Sequence, residues 1–401
     1  MCERTNIVRI GWIGAGGINF GSLEGPWNHA IRLERFEDVV FTAVVDPNTS
    51  LAQQRVEDHS KGEFGSKWSK CKVYKDYHDM LADPEGKPDA VVIGIPPWLH
   101  GAVRDPALNM EVQLAEAGVH MLIEKPISMQ PAEEVEELAQ VLDKLGREKR
   151  LVIAVGYMLR FNPAIEAVKH ILQEEGVQPV TLVGRYSCPY DNIRKPQWWD
   201  TQKSGGPIVE QCTHFVDLMR YLSGSEIVKD SIQTKAIGPS MQLSRMPEPP
   251  HAEHTILMER RNNRATVSIF DFANGAIGSL THTLLLHGSN FYTEFELVGD
   301  GLSIVVRDPY QNPQVLVRRP MHNEHEEVKL DLDSDMYVKQ FEAFLHAIRT
   351  GDTSGVRCLY HDAARTYQSA WPFAKVCRAV EAPDKAAASE SLLRQSSTSC
   401  C

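Results

Sequence analysis

The chain has 401 residues, of which 42% are hydrophobic, and a formal net charge of −11 at pH 7. This length exceeds what one hydrophobic core usually serves, so we expect two domains. The negative charge and the lack of a basic, aromatic-interleaved segment argue against nucleic acid as a partner. No apolar run reaches membrane-spanning length and no signal segment is recognised, which predicts a cytoplasmic protein without a membrane partner. Eight cysteines without paired metal-ligand spacing fit a reducing compartment and predict no metal site.

A glycine-rich turn follows the first predicted strand. The buried apolar run 7–13 leads directly into Gly14, Gly16 and Gly17. Backbone N–H groups in such a turn could approach a pyrophosphate. Glycines also mark ordinary turns, so this pattern alone leaves both interpretations open.

An acidic residue ends the second predicted strand. The apolar run 39–45 leads to Asp46, whose carboxylate could accept hydrogen bonds from the adenosine ribose hydroxyls; stabilisation of a turn or helix cap is the alternative. The spacing is longer than a dinucleotide fingerprint usually has, because Asn19 takes the place of its third small residue and Pro26 delays the next helix to about 27–36. With no adjacent Arg or Lys, Asp46 favours NAD over NADP.

The residues after the next predicted strand indicate where a nicotinamide ring would lie. Residues 89–95 form a continuous β-branched run that stops at Pro96, and His100 follows shortly after. Both residues would lie above the sheet edge at which the ring of a bound cofactor is expected. His100 could equally be a packing or helix-start histidine.

A lysine at the end of the following strand is the most informative residue. The strand 119–123 delivers Glu124 and Lys125 at its carboxyl end, where the ligands of open α/β sheets gather. An ammonium fixed there can bridge a bound nicotinamide and a sugar-like hydroxyl. The pattern predicts helices at 50–60, 76–81, 105–117 and 128–145, and a further strand at 151–156.

The pattern changes after residue 156. It predicts strands at 181–187, 230–235, 264–270, 278–285 and 291–298, with helices at 163–175 and 214–223. We therefore predict an α/β fold with a Rossmann dinucleotide-binding domain at 1–156 and an α+β domain at 157–381, built on a large, open, mostly antiparallel sheet. The composition of 382–401 predicts a disordered tail. One open sheet face predicts a homo-oligomer, either a dimer or a tetramer.

The second domain contains one further chemical pattern. Glu210 and His214 are four residues apart, the spacing that places two side chains on one helical face. A carboxylate there can fix the imidazole tautomer and make the histidine a usable base. The same spacing is common by chance, so a structural role for Glu210 and His214 is the alternative. Asp217 and Arg220 follow three and six residues after His214, and they could share its helical face or form surface ion pairs.

Together these motifs resemble the Gfo/Idh/MocA oxidoreductases, a family that includes glucose-fructose oxidoreductase and inositol dehydrogenase. The resemblance covers about residues 5–380 and is carried by six segments. They are Gly14-Ala15-Gly16, Asp46-Pro47, Pro96-Pro97 with His100, Glu124-Lys125-Pro126, the run from Gly156 to Pro163, and Gly205-Gly206 followed by His214.

The resemblance implies a nicotinamide cofactor and a substrate held between the two domains. It implies that Lys125 orients the reacting hydroxyl, that His214 accepts its proton, and that the Lys125-Pro126 bond is cis. Family members often have an aspartate where this sequence has Glu210, which changes the reach of the carboxylate but not its charge.

Several residues are candidates for contacting the substrate. The resemblance implies that Arg160 and Asn162 face the cleft, and Tyr157 of the same motif is a further candidate. Trp199, with its neighbour Trp198, could stack on the apolar face of a sugar ring, although packing in the core or in a dimer contact is the alternative. His282 is a further candidate.

The sequence leaves three functions open. The first is an NAD(P)-dependent dehydrogenase that acts on a secondary alcohol of a sugar, cyclitol or related polyol. The second is an elimination, epimerisation or glycoside cleavage assisted by a recycled cofactor. The third is a dinucleotide-sensing regulator without turnover, which the pairing of Lys125 with His214 disfavours because such a regulator needs no paired acid and base.

Overall fold

The computed structural model describes residues 7–22, 25–190, 193, 195–241, 253–332 and 334–377. Its elements form two lobes, each built around one β-sheet. The predicted tail at 382–401 lies outside the described residues. Within the described ranges, no helix combines the length and the apolar character needed to cross a lipid bilayer.

The first lobe is a parallel sheet with helices on both faces. Its strands are β1 (Val8–Ile13), β2 (Val39–Val45), β3 (Lys72–Tyr74), β4 (Ala90–Ile93), β5 (His120–Ile123) and β6 (Ile153–Val155). Its helices are α1 (Gly17–Phe20), α2 (His29–Leu33), α3 (Thr49–Ser60), α4 (Tyr77–Ala82), α5 (Met110–Glu116) and α6 (Ala132–Lys149). The strand order β3-β2-β1-β4-β5-β6, with every pair parallel, is that of a Rossmann fold, which confirms the predicted fold class.

The turn after β1 explains how the fold accommodates Asn19. Gly14 has φ +96°, and a Cβ built on it would lie 2.8 Å from the backbone oxygen of Gly94, so only glycine fits there. Asn19 is fully buried and donates from Nδ2 to the Gly14 carbonyl at 2.8 Å. Gly94 provides the room, because a Cβ there would lie 2.6 Å from Asn19 Oδ1. The helix predicted at 27–36 is shorter than expected: α2 begins after Asn28, whose side chain caps it.

The second lobe is an eight-stranded mixed sheet. Its strands are β7 (Thr181–Pro189), β8 (Gln233–Ile237), β9 (Ala265–Asp271), β10 (Ile277–Leu286), β11 (Tyr292–Val298), β12 (Ser303–Arg307), β13 (Gln314–Arg318) and β14 (Glu326–Glu327). Its helices are α7 (Pro163–Glu175), α8 (Thr201–Ser204) and α9 (Thr213–Ser223). All neighbouring strands are antiparallel except β7 and β10, so the sheet is mostly antiparallel, as predicted. The strand predicted at 230–235 lies slightly later, because Lys229–Ser231 forms a 3-10 turn.

Two C-terminal helices return to the first lobe. They are α10 (Met336–Thr350) and α11 (Tyr360–Cys377). Phe341 of α10 shares a buried cluster with Trp12 of β1, whereas Ala363 of α11 belongs to the cluster on the other face, with Val91 of β4. The Rossmann sheet therefore has residues from both ends of the described chain in its core, which fixes the second lobe beside the carboxyl ends of its strands.

Candidate active site

Lys125 extends from the end of β5 toward the second lobe. The Lys125-Pro126 peptide bond is cis, as the resemblance implied. The Lys125 Nζ donates a hydrogen bond to the backbone oxygen of Glu210 at 2.7 Å and lies 3.6 Å from Glu210 Oε1. An ammonium group has three N–H donors, so these contacts leave capacity for a further acceptor such as a substrate hydroxyl. The side chain is mostly buried, which strengthens its interactions with nearby charges.

Glu210 lies in a π-helical segment, Ile208–Cys212, immediately before α9. Its Oε2 accepts a hydrogen bond from Trp198 Nε1 at 2.9 Å. Burial raises the pKa of this carboxyl, but the charges of Lys125 and Lys195 and the Trp198 hydrogen bond outweigh that effect and hold the pKa below its usual value. Glu210 is therefore an ionised anchor for Lys125 and Trp198.

The expected contact between Glu210 and His214 is not formed among the described residues. The prediction assumed α-helical geometry, in which residues four apart are stacked on one face. The π-helical turn Ile208–Cys212 interrupts that register, because its hydrogen bonds span five residues. The catalytic role of Glu210 remains a prediction, with Lys125 as its partner instead of the histidine.

His214 lies near the start of α9 and is 5% exposed. Its ring meets the rings of Tyr157 and Tyr310 nearly edge-on, with centroid distances of 5.8 and 6.1 Å. Its Nδ1 has no hydrogen-bond partner within the described part of the chain. Burial, and secondly the charge of Lys125, hold the pKa of His214 well below its usual value. The imidazole is thus neutral at pH 7, and the lysine is close enough to act on it electrostatically.

Tyr157 supports this histidine from the first lobe's side. Its hydroxyl shares a hydrogen bond with Thr213 Oγ1 at 2.8 Å, and burial raises its pKa well above the usual value. The phenol therefore stays protonated throughout the range in which a dehydrogenase would operate. The structure brings Tyr157 to the candidate site, and its contact with substrate remains a prediction.

Arg160 is held by a buried ion-pair network. Its guanidinium donates to both carboxylate oxygens of Asp217, at 2.8 and 2.7 Å, and to Asp362 at 2.5 Å. Asp362 also accepts from Arg220 at 2.8 Å. The expected surface ion pairs of Asp217 and Arg220 are instead buried pairs, because α9 lies beneath α11. These contacts join the turn after β6 to α9 and α11.

Asn162 and Trp199 also have structural partners. Asn162 Nδ2 donates to the Pro309 carbonyl at 2.7 Å, and its Oδ1 caps α7 by accepting from the Ala164 N–H at 2.9 Å. Trp199 is fully buried and donates to the Ile193 carbonyl at 3.2 Å. The alternative of core packing therefore describes the position of Trp199, while substrate contact remains a prediction for both residues.

The glycine turn and Asp46 meet at one edge of the first sheet. Asp46 Oδ2 accepts the Ala15 N–H at 2.8 Å, and Oδ1 accepts the Asn48 N–H at 2.8 Å. Asp46 therefore stabilises this turn, which was the alternative interpretation of its carboxylate. A carboxylate has about four lone-pair sites, so two remain for ribose hydroxyls. A Cβ built on Gly16 would meet no described atom within 4 Å, and one on Gly17 would lie 2.9 Å from Ser22.

This geometry fits a dinucleotide. Backbone can approach a pyrophosphate closely at Gly16, while Gly14 and Gly17 permit the tight turn that presents it. The described residues contain no cluster of three or more His, Cys, Asp or Glu side chains suited to a metal ion.

The remaining predicted cofactor residues lie at the same carboxyl edge. Pro96 follows β4 and precedes a 3-10 turn. His100 is buried, and its Nδ1 lies 2.5 Å from Glu111 Oε1, which matches the packing alternative. Glu124 Oε1 lies 2.8 Å from Nε2 of the buried His29, so that α2 is joined to the end of β5. Their contacts with a cofactor remain predictions.

Gln211, beside the site, was not predicted from the sequence. Gln211 follows Glu210 in the π-helical segment, and its Oε1 accepts from Cys188 Sγ at 2.9 Å and lies 3.1 Å from His282 Nε2. His282 was a candidate for substrate contact, but it is buried on the inner face of the second sheet. No local motif marks Gln211, because its partners are 23 and 71 residues away in the chain.

The Arg160 network makes a prediction about stability. Replacing Arg160 with Ala leaves Asp217 buried without its charge partner, so we expect a loss of about 3–5 kcal/mol in the free energy of unfolding. Urea denaturation followed by tryptophan fluorescence measures this loss. Arg104→Ala, which removes an exposed pair with Glu137, is the control and should cost less than about 1 kcal/mol. Unchanged stability of Arg160→Ala, with a raised KM alone, would instead identify a substrate contact.

Comparison with known proteins places the chain in a family. A family model described as "Oxidoreductase family, NAD-binding Rossmann fold" matches residues 8–156, and a model of an oxidoreductase C-terminal domain matches residues 160–302. An uncharacterized protein of Schizosaccharomyces pombe is 34% identical over 366 residues, which span 88% of each chain. The levoglucosan dehydrogenase of Pseudarthrobacter phenanthrenivorans is 27% identical over 244 residues, 57% of each chain.

The fold is also shared with solved structures. A levoglucosan dehydrogenase in complex with NADH superposes with a TM-score of 0.69 at 20% identity, covering 92% of this chain and 96% of the other. The two matched models adjoin at the end of the first lobe, and together they span both sheets up to residue 302. The chain therefore belongs to the Gfo/Idh/MocA family of NAD(P)-dependent oxidoreductases.

Proposed function

We propose that this protein transfers hydride between NAD(P) and a secondary alcohol of a sugar, cyclitol or related polyol, with NAD favoured over NADP. The observation that carries the proposal is the hydrogen bond from Lys125, at the carboxyl edge of the Rossmann sheet, to the Glu210 backbone oxygen, in the segment that leads directly to the buried His214 of the second lobe. The levoglucosan and inositol dehydrogenases among its relatives support this substrate class.

The two side chains supply complementary chemistry. A carbinol carbon gives up hydride readily only as its oxygen loses a proton. His214 is neutral and can take that proton, while the Lys125 ammonium stabilises the negative charge that develops on the oxygen. NAD(P), when bound, supplies the hydride acceptor.

The positions of both groups are fixed before substrate arrives. Glu210 holds the ammonium of Lys125, and Tyr157 and Tyr310 enclose the imidazole of His214. A low-polarity surround strengthens the attraction between the ammonium and a developing alkoxide. Gly14, Gly16, Gly17 and Asp46 would hold the dinucleotide at the adjoining edge.

Removal of the ammonium tests the proposal. Lys125→Met should lower turnover by about 10²- to 10³-fold or more, because the alkoxide loses its stabilising charge. NADH affinity, measured by fluorescence titration, should change less than about twofold, since the glycine turn and Asp46 remain. Absorbance of reduced nicotinamide and product mass are followed together over a polyol panel with NAD and NADP. Lys144→Met, an exposed change on α6, is the matched control.

The outcomes separate the three functions. NADH that accumulates with a ketone product supports the dehydrogenase. Product without NADH would support recycled-cofactor chemistry, and tight dinucleotide binding without any product would support a regulator. Equal loss of turnover and of NADH affinity in Lys125→Met would show that the lysine is structural.

The lowered pKa of His214 predicts the acid limb of the pH profile. A base with a lowered pKa stays unprotonated further into acid, so kcat/KM for alcohol oxidation should hold steady as the pH falls through about 6.5, the ordinary histidine value, and decline only below it. Initial rates between pH 5 and pH 8 measure this limb. A half-maximal point at or above pH 6.5 contradicts the assignment of His214 as the base.

The open sheet face supports a homo-oligomer. The outer face of the second sheet carries half-exposed apolar side chains on β8, β9, β10 and β11, and they are Ile237, Val267, Ile269, Ile277 and Tyr292. A patch shared by identical chains is self-complementary about a two-fold axis, which suits a second copy of this protein.

No disulfide joins the described cysteines, which supports the proposed reducing, cytoplasmic setting.

A charge on this face should disrupt the oligomer. We expect Ile269→Lys to shift the sedimentation coefficient from that of a dimer or tetramer toward a monomer, because a lysine would be buried without a partner. Met321→Lys, a fully exposed position, is the control and should leave the assembly intact. A wild-type protein that sediments as a monomer at micromolar concentration would contradict this assignment.

A further inference from the structure

A hydrogen-bonded group of buried side chains lies beneath the π-helical segment. Gln211 Oε1 accepts from Cys188 Sγ at 2.9 Å and is 3.1 Å from His282 Nε2. Cys188 and His282 are 3.3 Å apart and belong to the neighbouring strands β7 and β10. All these contacts lie on the inner face of the sheet, where both residues are at most 1% exposed. One amide oxygen thus ties the segment to two strands.

Because Cys188 and His282 each keep a proton, both can donate a hydrogen bond to Gln211 Oε1. Burial lowers the pKa of His282 to about 3, so the ring is neutral and carries one N–H. Burial raises the pKa of the Cys188 thiol well above its usual value, so the S–H donor is retained. Since the Gln211 oxygen can only accept, the His282 proton belongs on Nε2.

Gln211 is the neighbour of the residue that anchors the lysine. The backbone oxygen of Glu210 accepts from Lys125 Nζ at 2.7 Å. A π-helical turn is rare and seldom stable without tertiary contacts. The Gln211 side chain supplies such contacts from the rigid sheet below. A shift of this turn would therefore move the acceptor of Lys125.

We propose that His282 is a positioning residue for Lys125, acting through the Gln211 side chain, which fixes the π-helical turn and with it the Glu210 carbonyl. The proposal deepens the proposed function, and only its kinetic part rests on that function. The competing role for His282 is packing, because its ring stacks on Tyr186 at a centroid distance of 5.8 Å. Variants that keep volume but differ in the N–H donor separate the two roles.

The experiment measures the chemical accessibility of Lys125. Cofactor-free protein is treated with limiting acetic anhydride, and acetylation of Lys125 is quantified by mass spectrometry relative to the exposed Lys144 of the same molecule. His282→Phe and Gln211→Leu keep the bulk but lose the hydrogen bond. His282→Gln keeps an N–H donor. Thr281→Val, on the same strand but the opposite sheet face, is the matched control.

We expect Lys125 acetylation to rise at least about threefold in His282→Phe and Gln211→Leu, because the ammonium is released from the Glu210 carbonyl, and to stay at the wild-type level in His282→Gln and Thr281→Val. Circular dichroism confirms that each variant is folded. Wild-type acetylation in folded His282→Phe and Gln211→Leu would overturn the proposal. An equal rise in His282→Gln and His282→Phe would also overturn it, since packing and not the donor would then matter.

Kinetics give a second readout that depends on the proposed function. With an active polyol from the panel, His282→Phe should lower kcat by about 10- to 100-fold at unchanged NADH affinity, as expected when a reacting group is displaced by about 1 Å. Gln211→Leu combined with His282→Phe should add little to either single change, because both break one link. If the losses in kcat of the two single variants add up in the double variant, the proposal that both residues act through one hydrogen bond is overturned. If no polyol reacts, the proposed function fails while the acetylation result still decides the positioning role.

Discussion

The hydrogen bond from Lys125 Nζ to the Glu210 backbone oxygen connects the two lobes at the point where chemistry is proposed. Lys125 follows a buried strand of the first sheet, and Glu210 lies in the π-helical segment that leads to His214. A hydrogen bond from a charged donor to a carbonyl in a largely buried cleft is stronger than a hydrogen bond between neutral groups. The Glu210 carboxylate, itself held by Trp198, balances the same charge. The position of the ammonium relative to the histidine depends on this contact.

Burial and charge together set the protonation states of the site. Lys125 remains beside an ionised Glu210, and its charge contributes to keeping His214 neutral. The same ammonium can therefore attract a developing alkoxide and prepare the base that accepts its proton. Two buried tyrosine rings lie against the histidine ring, and the proposed role as base requires its unprotonated nitrogen to accept the hydrogen bond of the substrate hydroxyl.

The local patterns predicted the architecture because five of the six strands of the first lobe are short apolar runs followed by a turn. Strand β3 was not predicted, since its three residues include a lysine and are only partly buried. Val39–Val45 was predicted with its observed bounds, and the carboxyl ends of these strands brought Asp46 and Lys125 to one edge. Helix α5 begins later than predicted, since residues 105–108 form turns before Met110. Strands β12 to β14 and helices α10 and α11 were not predicted. The burial of β12, β13, α10 and α11 depends on contacts with distant parts of the chain, and β14 is a two-residue exposed strand.

The site was predictable in its residues but not in all of its contacts. The spacing of Glu210 and His214 suggested a direct pair, whereas the π-helical turn directs the carboxylate to Lys125. A π-helix has no simple sequence signature, because it arises where tertiary contacts hold an extra residue in a turn. Arg160 and Asn162 matched a family motif, yet each has several buried partners that lie up to 202 residues away. Such partners cannot be identified from local spacing.

The most direct measurement is the crystal structure of the protein with bound NADH and a polyol that it oxidises. We predict that Lys125 Nζ and one ring nitrogen of His214 both lie within about 3 Å of the same substrate oxygen, with the carbon that bears it facing the nicotinamide. A structure in which either group lies beyond hydrogen-bond reach of that oxygen, or in which the two contact different hydroxyls, would contradict it.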